Sequence, residues 1–240
     1  MKLKVMTYNI QHGNVHLGSG IDLTKVAEVV RQSGADVIGL NEVRGRGESS
    51  GYFAQAEALA AGLNYHCYFG RSIYVNGSDP YGNAVLSRYP IVEAGVARIP
   101  APTVKNEGAY YEPRSICRCV IETPSKQKRL AVYATHFGLT REELPGAVSK
   151  ALALSEQEPY PHVLMGDFNA EPDEPYLRPI YEKFRLTDGF LDQYKPSFPS
   201  DQPQIRIDYI FASAQLNFIS ADMINRVASD HLPIIAEIEL

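Results

Sequence analysis

A chain of 240 residues, 45% of them hydrophobic and 21% charged, can bury most of its apolar surface without disulfide or metal staples. Its 23 basic residues against 28 acidic ones leave a formal charge of −5, which argues against a protein that holds nucleic acid by blanketing phosphates with lysine and arginine. Cys67, Cys117 and Cys119 form no CxxC pair, no apolar run approaches the ~18 residues of a membrane span, and Met1-Lys2-Leu3-Lys4-Val5-Met6 lacks a signal-peptide core, so reduced thiols and a cytoplasmic location are expected.

Leu3 to Ile10 reads as a first strand, short and rich in β-branched residues. Asp22 then caps a helix with Val26, Val29, Val30 and Ser33 on one side, ending at Gly34. Val37 to Leu40 is a strand, Phe53 to Leu63 a helix stopping near Gly62, and Ala84 to Leu86 a strand. Two more strands follow, Ile116 to Ile121 and Leu130 to Ala134, with Cys117 and Cys119 on one face of the first. Between them Lys126-Gln127-Lys128-Arg129 is read as a charged hairpin turn rather than a binding patch. Arg141 to Gln157 is a helix whose early turns Pro145-Gly146 should break. Val163 to Met165 is a strand, Glu174 to Phe184 a weaker helix containing Pro175 and Pro179, and Ile207 to Phe211 and Leu232 to Ile238 complete the strands.

There is no internal repeat or long linker, so residues 1–240 are expected to form one domain, taken as a monomer. Strands interleaved with helices could build a parallel doubly wound sheet. The turn between Ile121 and Leu130 is too short for a crossover, however, and the last third has strands without room for helices between them. The expectation is therefore a layered α/β fold: two mostly antiparallel β-sheets packed together, with helices outside.

Several apolar runs end in residues suited to metal or phosphate chemistry. Met6-Thr7-Tyr8 leads to Asn9, Val37-Ile38-Gly39-Leu40 to Asn41 and Glu42, and Leu130 to Thr135 to His136. Val163-Leu164-Met165-Gly166 leads to Asp167, Phe168 and Asn169, and Ser229-Asp230-His231 stands just before the closing strand. Taken singly, an Asn or Asp after a strand is a turn residue, His136 a satisfied core histidine, and Asp208 a partner for Arg206 on its own strand. Their joint occurrence on strand ends, which are rigid mounts for a site, overturns those readings. His12 and His16 follow Asn9 in a glycine-containing loop, where exposed histidines are commoner than site residues. Tyr110-Tyr111 could stack on a base or sugar, or cover a sheet edge.

In order along the chain, Thr7-Tyr8-Asn9-Ile10, Asn41-Glu42-Val43, Gly82-Asn83-Ala84-Val85-Leu86-Ser87-Arg88, Thr135-His136-Phe137-Gly138, Gly166-Asp167-Phe168-Asn169-Ala170, Arg206 to Phe211 and Ser229-Asp230-His231-Leu232-Pro233 resemble the endonuclease/exonuclease/phosphatase superfamily. That superfamily includes DNase I-type nucleases, abasic-site endonucleases, sphingomyelinases and inositol-polyphosphate phosphatases. The resemblance implies a four-layered α/β sandwich and a divalent-metal-dependent phosphoesterase, with metal-activated water attacking phosphorus. It implies Glu42 as principal metal ligand, with Asn9 and Asp230 as further oxygen ligands. Asp167 would orient the water or hold a second metal, and Asn169 would contact the phosphoryl oxygen. His231, oriented by Asp208, would be the base or a phosphate-contacting imidazole, and His136 would stabilise charge on the phosphate. Arg114 and Asn83 are weaker candidates for substrate contacts.

The chemistry stands without the family name. A phosphodiester repels hydroxide, so its charge must be neutralised. Carboxylate and amide oxygens suit Mg²⁺ or Mn²⁺ as cofactor, whereas zinc would more naturally recruit Cys or paired His. His136 resembles the nuclease and sphingomyelinase branches more than the abasic-site enzymes. The absence of Trp and of a basic extension also weakens a repair-enzyme reading, and no long apolar hairpin suits membrane docking. The expected substrate is a small or lipid-derived phosphoester. A DNA or RNA nuclease is the alternative, and a non-catalytic binding module on the same scaffold a further one.

Overall fold

The structure, a computed structural model, describes residues 1–108, 110–125, 128–186 and 195–240. Lys126 and Gln127 of the basic run lie outside the described residues. In chain order the elements are β1 (Lys2–Asn9), α1 (Leu23–Ser33), β2 (Val37–Arg44), α2 (Gln55–Leu63), β3 (His66–Val75), β4 (Asp79–Ser87), β5 (Ile91–Arg98), β6 (Ser115–Glu122) and β7 (Arg129–His136). They continue with α3 (Leu144–Gln157), β8 (His162–Asp167), α4 (Arg178–Lys183), β9 (Arg185–Leu186), β10 (Asp208–Ala212), β11 (Asn217–Met223) and β12 (Ile234–Glu239).

The strands form two six-stranded sheets, in the orders β11-β12-β1-β2-β4-β3 and β5-β6-β7-β8-β10-β9. Each sheet holds one parallel pair, β1 with β2 and β7 with β8, bridged by α1 and α3 respectively. The other pairings are antiparallel, including the β6–β7 hairpin expected from its short turn.

The interior strands read as apolar runs because both of their faces are buried. In β7, Leu130, Val132 and Ala134 enter the layer between the sheets, while Ala131 and Tyr133 face the apolar layer under α3 and α4. In β1, Leu3 and Val5 face the inter-sheet layer and Met6 and Tyr8 the layer shared with Val26, Val29 and Val30 of α1 and Leu59 of α2. Three apolar layers thus separate four layers of structure, the α/β/β/α sandwich expected. Cys117 and Cys119 are free and buried in the central layer. No helix among the described residues is long and apolar enough to cross a membrane.

The helix ends follow local chemistry. The Asp22 carboxylate accepts from Thr24 N at 2.9 Å, and Gly34 closes α1 at φ +64°. The expected break at Pro145-Gly146 does not occur. Thr140 and Glu143 form a capping box around a 3₁₀ turn at Arg141–Glu143, and Pro145 falls in the first turn of α3, where its missing N–H costs nothing. The helix expected over Glu174 to Phe184 is instead a 3₁₀ turn at Pro175–Leu177 followed by the short α4, with each proline at a starting position.

Candidate active site

Strand register brings the polar strand ends together. Parallel pairing sets Asn9 beside Asn41 in one sheet and His136 beside Asp167 in the other, and antiparallel pairing sets Asp208 opposite Asp167. Gly166 permits the β7–β8 approach: it lies at φ +150°, and a Cβ there would fall 1.8 Å from Thr135 O. Glu42 lies where β2 slips register against β4, between Leu40 and Val43, and it holds φ +59°. That left-handed backbone is costly for a glutamate, and strain of this kind concentrates at functional sites.

A network of short contacts spans the seam between the sheets. Asn9 Nδ2 donates to Glu42 Oε1 at 3.0 Å and to Asp167 Oδ2 at 3.1 Å. Asn41 is fully used: its Nδ2 donates to Asn83 Oδ1 at 2.9 Å and Thr135 O at 2.7 Å, and its Oδ1 accepts from Asp167 N at 3.0 Å. Asp167 Oδ2 stands 3.4 Å from His136 Nε2 and 3.6 Å from His231 Nε2. His231 Nδ1 meets Asp208 Oδ2 at 2.8 Å, and Ser197 Oγ donates to that oxygen at 2.7 Å. Arg114 Nη1 lies 3.1 Å from His136 Nδ1 and 2.7 Å from Glu112 Oε1.

These contacts fix protonation. Arginine can only donate, so His136 Nδ1 accepts and its proton sits on Nε2, facing Asp167. Burial, with Arg114 and His231 adding to it, pushes the His136 pKa well down, and the ring is neutral. Burial would push His231 down as well, but Asp208, Asp167 and Asp230 outweigh it and raise its pKa to about 10. Burial, reinforced by Asp208 against the pull of His231, raises Asp167. Asp230 is raised by burial and by Glu42, while His231 pulls it down, so the Glu42 and Asp230 carboxylates feel one another.

The structure therefore brings Asn9, Glu42, His136, Asp167, Asp208, Asp230 and His231 to one site. Asn169, at φ +47°, joins it through its backbone N–H on Asp167 Oδ1 at 2.9 Å. One of its amide protons goes to Phe137 O at 3.0 Å, leaving the other. Asn83 corrects its expectation as a substrate contact: it is buried, accepts from Asn41 and donates to Ser115 O at 3.0 Å, so it braces the site. Asp208 bonds His231, and the Arg206 guanidinium lies 5.1 Å from the centre of the Tyr209 ring. Asn9 turns its amide nitrogen toward the carboxylates, while its oxygen accepts from Gln11 N at 3.0 Å.

Sequence reasoning missed two contributors, Tyr81 and Ser197, and weighed a third, His12, toward an exposed loop. Tyr81 OH donates to Glu42 Oε2 at 2.7 Å, His12 Nδ1 lies 4.0 Å from the same oxygen, and Ser197 braces Asp208. Tyr81 lies one residue before the Gly82-Asn83 motif, the one available hint. His12 and His16 also depart from the exposed-loop reading, since His12 abuts Glu42 and His16 Nε2 bonds Asp201 Oδ1 at 2.8 Å.

Two cation sites compete on paper. Among the described residues, Asp167, Asp208 and His231 bring ligand atoms within 4.8 Å of one another. Asp208 Oδ2 is bonded to His231 and Ser197, however, so this group reads first as a hydrogen-bonded set, with Asp208 Oδ1 buried and without a hydrogen-bond partner. Glu42 and Asp230 offer hard carboxylate oxygens around a strained residue, a donor pair that fits Mg²⁺ or Mn²⁺, while Asn9, expected as a further oxygen ligand, turns its amide nitrogen to this place.

Known proteins resemble this chain in sequence and in fold. "Uncharacterized protein YbhP" of Escherichia coli (strain K12) is 29% identical over 257 aligned positions, covering 99% of this chain and 96% of that protein. An endonuclease/exonuclease/phosphatase of Beutenbergia cavernae DSM 12333 superposes with a TM-score of 0.78 at 24% identity, over 100% of this chain and 72% of its own. A mannosyl-6-phosphatase of Bacteroides thetaiotaomicron VPI-5482 superposes with a TM-score of 0.75 at 18% identity, over 99% of this chain and 100% of its own. The sequence profile of the Endonuclease/Exonuclease/phosphatase family matches residues 6–231, a span that contains every site residue above; the protein belongs to that family of phosphoester hydrolases.

Proposed function

We propose that this chain hydrolyses phosphodiester bonds of small phosphoesters, by attack of water on phosphorus, with Mg²⁺ or Mn²⁺ held by Glu42 and Asp230 and flanked by Asn9. The observation that carries the reading is the convergence of a protonated and a neutral imidazole on Asp167, with Asn9 tying Asp167 to Glu42 and with Asp230 in electrostatic reach of Glu42 and His231. Such a cation would neutralise charge on the phosphoryl oxygens and lower the pKa of nearby water.

The chain's own residues divide the remaining work. Asp167, raised in pKa and ringed by Asn9, His136 and His231, orients the attacking water and accepts its proton. His231 keeps its proton to about pH 10, which favours the phosphate-contacting role over that of base, so it donates to a phosphoryl or leaving oxygen. Asp208, braced by Ser197, holds that ring in place. The Nε2–H of His136 and the free amide proton of Asn169 donate to charge developing on phosphorus-bound oxygens. The mannosyl-6-phosphatase among the superposable structures and the acidic balance of this chain both support a small substrate over a polynucleotide.

Hydrolysis of bis(p-nitrophenyl) phosphate with Mg²⁺ or Mn²⁺, and its loss with chelator, is the direct test. Glu42→Ala should shift the metal requirement upward by roughly tenfold or more. His231→Ala should cut kcat by roughly 10²–10⁴-fold with the metal requirement largely kept. Superimposable metal titrations for the two variants would refute this division of labour. An absence of turnover with either metal would favour a binding module.

A further inference from the structure

Beside the catalytic site, at the same end of the sandwich, the edge strands of the two sheets face one another. They are β3, outermost in one sheet, and β5, outermost in the other. Between them opens a groove of roughly 810 Å³, walled by Arg71 and Tyr74 from β3, Arg98 from the end of β5, and Tyr110, Glu112 and Pro113 from the segment before β6. Arg71 pairs in register with Gly82, next to the Tyr81 that holds Glu42. Glu112 connects groove and site, because its carboxylate is taken up by Arg114, which reaches His136.

The charges in this groove are unbalanced. Neither Arg71 nor Arg98 forms an ion pair with a carboxylate among the described residues, and Glu112 is committed to Arg114. Arg71 lies over the Tyr74 ring, 3.9 Å from its centroid, an arrangement that fixes the guanidinium plane while leaving its N–H edge for a ligand. Tyr110 is 75% exposed and Tyr74 51%, so apolar ring surface stands beside the positive charge. In a chain of net charge −5, two arginines brought together from different sheets are a local feature and not part of a general basic coat. Guanidinium forks match the paired oxygens of a phosphoryl group.

We propose that this groove, with Arg71 and Arg98 on opposite walls, holds a second phosphoryl group of the substrate, beyond the one that is hydrolysed. The assignment rests on the phosphoesterase reading and narrows it: the substrate is a small molecule with two phosphoryl groups, joined by an organic core that lies on Tyr74 and Tyr110.

Two chromogenic esters with the same scissile bond and leaving group test it: the p-nitrophenyl ester of thymidine 5′-phosphate, and the same ester bearing a 3′-phosphate. In the wild-type protein the second phosphate should raise kcat/KM roughly tenfold, the worth of one charge-assisted contact. That ratio should shrink in Arg71→Gln and in Arg98→Gln and vanish in the double variant. Because the ratio is internal to each protein, a general loss of folded material does not imitate the effect. A ratio of one in the wild type, or an undiminished ratio in the double variant, overturns the proposal. Calorimetric titration of thymidine 3′,5′-bisphosphate against thymidine 5′-phosphate, with Mg²⁺ present, reads the same preference as binding. If the wild type cleaves neither ester, the phosphoesterase reading fails and the calorimetric ratio decides the groove alone. Oligothymidylates of two and eight nucleotides separate a small substrate from a polynucleotide. Equal kcat/KM for both supports the small molecule, and a steep rise with length overturns it.

Discussion

A histidine that keeps its proton to about pH 10 holds that proton more tightly in the folded protein than in the unfolded chain, where the value is 6.5. The His231 contribution to stability is therefore complete below about pH 6.5 and is lost as pH rises through about 10. Asp167 is also raised, but its window lies lower, between its ordinary 3.8 and about 7. The thiols of Cys67, through burial, and Cys117, through its hydrogen bond with Cys119, are raised too, so His231 is isolated in the alkaline window by comparison with a variant that keeps both cysteines. Asp208→Asn keeps the side-chain shape and removes the charge at 2.8 Å, which returns His231 toward neutrality. With metal chelated, the melting temperature of the wild type should fall more between about pH 8 and pH 10 than that of Asp208→Asn. Parallel curves would show that Asp208 does not hold the proton. At this scale the sequence exposed the polar residues that end apolar runs, because a carboxylate or imidazole directly after such a run stands out. Tyr81 and Ser197 stayed hidden: each lies in an ordinary turn or strand context, and only the fold carries Tyr81 from β4 to the strained Glu42 of β2.

Among the elements, burial decided what was legible. β1, β2, β4, β6, β7, β8, β10 and β12 are interior strands, packed between a helical layer and the facing sheet, and each appears in the sequence as an apolar run. The four strands that the sequence did not reveal, β3, β5, β9 and β11, are the four sheet edges. β5 shows the reason. Its Val92, Glu93, Ala94 and Arg98 are exposed, so no unbroken apolar run marks it. The interior strands also carry the most fragile geometry. Gly166 sits in β8 at φ +150°, where a methyl group would meet the Thr135 carbonyl of β7 at 1.8 Å, and neither backbone can yield without shifting the row that holds His136 beside Asp167. Gly166→Ala should therefore cost about 3 kcal/mol or more of unfolding free energy and remove activity even where the variant remains folded. Urea unfolding monitored by circular dichroism checks the first part and bis(p-nitrophenyl) phosphate turnover the second; a variant with wild-type stability would show that the strands can separate without penalty.

For the whole molecule, the site lies across two sheets rather than on one. Asn9, Glu42 and Tyr81 come from one sheet, while His136, Asp167 and Asp208 come from the other. Van der Waals packing of Val5, Val37, Val132, Met165 and Ala236 holds the sheets together but is not directional, so it leaves the sliding of one sheet over the other loosely specified. Polar contacts across the seam supply that specificity, and Asn41 is the densest of them. From β2 it donates to the carbonyl of Thr135 at the end of β7 and accepts from the N–H of Asp167 at the end of β8, while its third hydrogen bond reaches Asn83 on β4. Asn41→Ala would leave the Asp167 N–H without its acceptor in a fully buried place, and Asn83 Oδ1 without its donor. The expected cost is about 2–4 kcal/mol, one to two buried polar groups stripped of partners. Asn41→Asp keeps the acceptor for Asp167 N–H but loses both donated bonds and adds a charge beside Asp167, so it should be no better. If Asn41 sets the alignment of the sheets, kcat should fall in Asn41→Ala well below the melting transition, with the metal requirement also shifted, because both halves of the site are displaced relative to one another. A variant destabilised by this amount that retains wild-type kcat and metal titration would mean that the apolar layer alone aligns the two sheets.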